Sequence, residues 1–234
     1  MPTGAKLFLI LSAALLPLAL IAMFATLKTG RAVDAETRAR LRVAAIESTR
    51  AIAIELIGDM TALRAAVAAL GTDPADGSSC ARAQGVFAQQ SGGGGGTRFV
   101  ITNARGKTLC GQPFPDVSIA RSGLPIDAAI IPGQGLMLVI DGPRGANAQA
   151  WFPRSFLARI GAPTASLTGF SSALATDDRS LLLEAREDEH AYDRVETMRT
   201  SLGIAGLDLV TSDPSAPITS SLVIALLLPL LMWA

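Results

Sequence analysis

The sequence predicts an α+β fold: a long N-terminal helix, then an antiparallel sheet domain, with a transmembrane helix on either side. Three observations carry that reading. From Lys28 to Leu70 there is no proline, and Ala, Arg, Glu and Leu dominate, the composition of a long helix. Beyond residue 97, short apolar runs alternate with Gly, Pro and Asp turn signals, as strands and their connections do. Finally, Leu7 to Ala25 and Leu222 to Ala234 are both free of charge. The first is close to the ~20 residues that a helix needs to cross a hydrocarbon core of roughly 30 Å.

These features divide the chain into a cytoplasmic N-terminus (1–6), a first transmembrane helix (7–27), a stalk helix (28–70), the sheet domain (71–215) and a second transmembrane helix (218–234). The second run is short, and it is read as a span cut at Trp233-Ala234; a buried C-terminal helix is the other reading. The first run also suits a cleaved signal peptide, but Met23 stands where a small residue should precede Ala25, which favours an uncleaved anchor. Lys6 before the run and Lys28 and Arg31 after it leave orientation undecided by charge alone. With 20 basic and 20 acidic residues the formal net charge is zero, so no field favours nucleic acid, and none is expected as a partner.

Within the stalk, Ile46, Ala53, Leu56, Met60, Leu63, Val67 and Leu70 define an apolar stripe, with Glu47, Arg50, Glu55, Asp59 and Arg64 taken as solvated positions off it. The stripe can pack on the chain's own sheet or pair with a second copy; the first suits Leu56 to Leu70 and the second suits Val33 to Ile52. Gly71-Thr72-Asp73-Pro74 ends the helix. Ser78 or Ser79 caps a short helix over 80–90, and Gly92 to Gly96 forms a flexible joint. Strands follow at 98–102, 107–110, 135–140, 148–152, 167–174, 180–185, 197–202 and 207–211, with a short helix at 155–160 and a Pro/Gly-rich connection before residue 135. They are expected to form one sheet.

Cys80 and Cys110 are the only cysteines and bracket the short helix, the glycine run and the first hairpin. A bond between them fits an oxidising compartment; reduced thiols in a cytosolic domain, or a redox or metal switch, are the alternatives. Two cysteines make no zinc site, which wants four ligands, and His190, the single histidine, is far along the chain in a charged segment. No metal or cofactor is expected. Gly106-Lys107-Thr108 is not a phosphate loop, because Ile101 stands where its leading glycine belongs. His190 has no nucleophile elbow to serve, so no catalytic residue is assigned.

A cysteine in a short helix, a strand, a turn and a second strand ending in cysteine, here Cys80 and then FVITNARGKTLCG, resembles the start of extracytoplasmic Cache domains, the PAS-like sensors of bacterial membrane receptors. The resemblance implies a periplasmic sensor domain at the inner membrane, belonging to a receptor whose output lies beyond residue 234. A two-component histidine kinase is favoured; a diguanylate cyclase, a chemoreceptor, or a complete membrane-anchored binding or assembly protein are the alternatives. It implies as partners the membrane, a small-molecule or periplasmic protein signal, and a second copy in a homodimer. In PAS-like domains the pocket lies between sheet and covering helices, which singles out Trp151, Phe152 and Arg154, then Tyr192 and Asp141, as ligand-binding candidates. The competing reading makes Trp151 and Phe152 core and Arg154 a surface charge.

Overall fold

The computed structural model describes residues 3–70, 77–90, 97–112, 114, 126–163, 170–184 and 195–214. Two compact units partition the chain. One comprises Met1–Leu41, Asp188–Glu196 and Asp213–Ala234; the other comprises Arg42–Glu187 and Thr197–Ser212.

The first element, α1 (Thr3–Ala69), is an unbroken helix. In the larger unit its buried apolar residues include Ala45, Ile52, Leu56, Met60, Leu63 and Val67, at steps of three, four or seven, with Leu70 buried just past its end. That spacing keeps them on one side of a helix with 3.6 residues per turn. A second helix, α2 (Gly77–Gln90), buries Ser79, Ala83 and Phe87 at steps of four.

Five strands form the first sheet: β1 (Arg98–Thr102), β2 (Thr108–Gly111), β3 (Ile126–Ile131), β4 (Gly135–Asp141) and β5 (Asn147–Pro153), in the order β2-β1-β5-β4-β3. All of its pairings are antiparallel. Asn103 builds the first hairpin: its Oδ1 accepts from the backbone N–H of Arg105 at 2.9 Å and of Lys107 at 3.0 Å. This is an Asx turn, the local chemistry that makes Asn a hairpin residue, and Gly106 completes it at φ +76°. Helix α3 (Arg154–Gly161) follows Pro153 directly. The remaining strands, β6 (Ser171–Ala175), β7 (Ser180–Glu184), β8 (Val195–Ser201) and β9 (Asp208–Pro214), form a second sheet in the order β7-β6-β9-β8.

A single apolar cluster joins these layers. Leu136, Leu138, Ile140, Ala148, Ala150 and Phe152 of the first sheet, Phe156 and Leu157 of α3, and Leu174, Leu181, Leu183 and Leu209 of the second sheet meet the buried residues of α1 and α2. Strand β4 is buried on both faces, because Met137 and Val139 pack with Trp151 beneath Phe114 and Ile131 on the other side of the sheet. Its unbroken apolar run, Leu136 to Ile140, reflects that double burial.

The predicted architecture, one sheet flanked by two transmembrane helices, is corrected on both counts. In the first sheet β5 has both its edges occupied, by β1 and β4, so the strands after α3 pair among themselves and make a sheet of their own. Among the described residues no helix is long and apolar enough to cross a membrane. The predicted first span and stalk are one helix, α1, which runs without interruption through Lys28, Arg31, Glu36, Arg38 and Arg40. The predicted second span, the Gly71–Pro74 helix stop and the glycine joint lie outside the described residues.

The stripe on α1 is also shifted: Ile46 is exposed and Asp59 is buried. The sequence reading missed β3, which lies in the Pro/Gly-rich connection. Pairing makes it a strand, with β4 opposite it from Ile126↔Ile140 through Ile131↔Gly135. The short helix before β1 begins at Gly77, so Ser79 sits inside it, buried, rather than at its cap.

Candidate functional site

Cys80 and Cys110 are joined in a disulfide, with their Cα atoms 5.2 Å apart. Two local causes bring them together. Cys80 follows Ser79 on the buried side of α2, where Phe87 packs on Phe99 of β1 with ring centroids 4.7 Å apart. Cys110 is the buried position of β2, paired with Ile101. Next to it Gly111 has φ +90°, and a Cβ there would stand 2.1 Å from the carbonyl oxygen of Phe99, so only glycine fits this close backbone approach. The bond therefore staples α2 to an edge strand of the first sheet.

Of the predicted ligand residues, Trp151 and Phe152 stand on opposite faces of the first sheet, as neighbours on a strand must. Phe152 is fully buried between sheet and helices, with its ring 6.3 Å from that of Phe156. Trp151 packs on the other face, 6.4 Å from Phe114. Arg154 opens α3; its backbone N–H donates to Gln134 O at 2.8 Å and its Nη2 to Leu183 O at 3.4 Å, so the guanidinium reaches across to β7. Asp141 is exposed at the end of β4. Tyr192 lies outside the described residues, as does His190. The described candidates do not converge on one point, and the space between the first sheet and α1 is occupied by side chains of the common core.

The sequence reading missed a set of buried polar groups on α1. Asp59 is 1% exposed, and its Oδ2 has no hydrogen-bond partner. Burial, and next the charge of Glu55 one turn earlier, push its carboxyl up to about 7. Ser48 Oγ and Thr49 Oγ1 are likewise buried and unbonded. Ser48 and Asp59 share a side of the helix but stand three turns apart, about 16 Å at 1.5 Å per residue, so they are two polar spots rather than one site. The signal for Asp59 was in the sequence: it falls three residues after Leu56 and four before Leu63, on the stripe itself.

In the smaller unit, Arg38 on α1 donates through Nε and Nη2 to Glu196 Oε1 at 3.1 and 2.9 Å. Burial raises the carboxyl of Asp213 above the usual range, and the charge of Arg40 partly offsets this. Arg40 also pairs with Glu36 one turn away. Both Arg38 and Arg40 are exposed, so each pair contributes at most about 1 kcal/mol.

Among the described residues, no group of three or more His, Cys, Asp or Glu side chains could hold a metal ion. No family model matches the chain, and no curated protein matches it either. The Cache resemblance thus rests on the residues of the Cys80–Gly111 stretch.

Proposed function

We propose that this chain is the sensory part of a bacterial signal-transduction receptor, with its larger unit on the periplasmic side of the inner membrane. The observation that carries the reading is the Cys80–Cys110 disulfide, closed between a short helix and the hairpin that carries the Cache-like residues. A structural disulfide belongs in an oxidising compartment. An antiparallel sheet with helices packed on one face is also what a PAS-like sensor presents. The reading rests on these features and not on membrane-crossing helices.

In such a receptor a stimulus acts on the sheet domain and moves its last strand. Here β9 is paired with β6 inside the second sheet from Asp208 to Ser212, and the strand ends with Asp213 and Pro214. The favoured output is a histidine kinase.

The reading frame after Ala234 tests this. A helix with a phosphorylatable histidine followed by an ATP-binding domain is the expected continuation; a stop codon there favours a membrane-anchored binding or assembly protein. Mass spectrometry of protein taken from intact cells, with free thiols blocked before lysis, checks the compartment separately. Cys80 and Cys110 should be found bonded, and finding both alkylated overturns the periplasmic placement.

A further inference from the structure

Among the described residues, four buried side-chain oxygens have no hydrogen-bond partner, and three of them lie on α1: Ser48 Oγ, Thr49 Oγ1 and Asp59 Oδ2. Hydroxyls keep one charge state at any ordinary pH, so Asp59 is the member of the set that can change. On the helix surface its neighbours three and four residues away are Glu55, Leu56, Ala62 and Leu63. Leu56, Ala62 and Leu63 are each 0% exposed, which places the carboxyl within the contact between α1 and the core. Among the described side chains no cation answers it there. Every Lys and Arg is exposed except Arg154 of α3, which is half-buried and turns its Nη2 to Leu183 O. Helix α2 brings Ala83 and Phe87 to the core. The other buried acids stand elsewhere: Asp127 of β3 is paired with Val139 on the opposite face of the first sheet, and Asp213 belongs to the smaller unit. Glu55, half-buried on α1 itself, carries the same sign and opposes ionisation.

We propose that the contact between α1 and the core is a pH-sensitive switch, closed while Asp59 carries a proton and released around Asp59 when that proton is lost. The physical cause is the absence of a partner. A neutral carboxylic acid is tolerated in an apolar contact, whereas an unpaired carboxylate is not and draws its segment of helix toward water. Burial, with the charge of Glu55 next, pushes the carboxyl from an ordinary 3.8 up to about 7. The closed contact therefore holds most of a proton at pH 6 and little of one at pH 8, while the released segment, with an ordinary carboxyl, holds none at either. Release is favoured as pH rises, and the ratio of released to closed contact grows about tenfold between pH 6 and pH 8. The proton itself is then the ligand of this part of the fold. As the stimulus of the receptor proposed above the switch rests on that reading; as a property of the helix contact it does not.

Amide hydrogen exchange of the full chain, measured from pH 6 to pH 8 and divided at each pH by the intrinsic exchange rate, tests this. Amides of residues 56–63 should be less protected than those of β4 and β5, and their protection should fall about tenfold across that range. In Asp59→Asn, which keeps the shape of the protonated acid, protection of the same amides should not change with pH. Glu55→Gln is a second, milder variant: without the like charge Asp59 ionises more readily, so the fall should begin at a lower pH than in wild type. Wild-type protection that is independent of pH overturns the proposal, as does a slope that survives in Asp59→Asn or an onset that Glu55→Gln leaves unmoved. Protection of residues 56–63 equal to that of β4 and β5 also overturns it, because the helix would then open only when the whole unit unfolds. None of these failures touches the receptor reading, which stands or falls on the frame after Ala234 and the state of the thiols.

Discussion

At the scale of single residues, Asp59 is the most informative side chain. An acid inside an apolar helix face favours its neutral form, because a buried charge without a partner costs far more than a buried carboxylic acid. With a native pKa near 7 against an ordinary 3.8, the folded chain holds a proton that the unfolded chain has released. Its contribution to stability is whole below pH ~4 and is lost as pH rises through about 7, a decline on the order of 4 kcal/mol. Asp59→Asn removes that slope. In urea unfolding followed against pH, the variant should match wild type near pH 4 and exceed it at pH 8; equal midpoints at pH 8 would show that Asp59 is solvated. Neighbouring residues also explain why the predicted ligand set came apart. Trp151 and Phe152 are adjacent, and the two-residue period of a strand sends them to different faces, a consequence that was legible in the sequence itself.

At the scale of elements, α2 is held by two kinds of contact, its small apolar face and the disulfide. The covalent link closes a loop of about 31 residues, and restricting the denatured chain in this way stabilises by about 3–4 kcal/mol in the chain-entropy account. A Cys80→Ser/Cys110→Ser variant, or wild type in reductant, should lose about that much unfolding free energy, seen as a lower urea midpoint, with the sheets still folded by circular dichroism. An unchanged midpoint would mean that α2 is anchored by Ala83 and Phe87 alone. Most strands were legible because turn chemistry and short apolar runs are local signals: β1 coincides with its predicted range, and β4, β5 and β7 differ only at their ends. Strand β3 was not, since Ile126-Asp127-Ala128-Ala129 carries no alternation that separates it from a loop until β4 lies beside it.

At the scale of the molecule, the two sheets are separate in hydrogen bonding and joined in their core. Leu174 and Leu209 of the second sheet belong to the same cluster as Leu136 and Phe152 of the first, so the larger unit should unfold in one cooperative step. Leu174→Ala, which empties a fully buried position, is expected to cost about 2–5 kcal/mol. It should lower hydrogen-exchange protection in β4 and β5 as much as in β6; protection lost from β6 to β9 alone would make the sheets independent. The sequence by itself determined the class α+β, the long helix, most strand positions and the cysteine pair, because these follow from composition, period and local turn chemistry. Only the tertiary structure decided that the strands split into two sheets, that residues 126–131 pair as a strand, and that Ile46 faces outward. Each of these depends on which surfaces meet, and the pairing of distant segments leaves no mark in any short window of sequence.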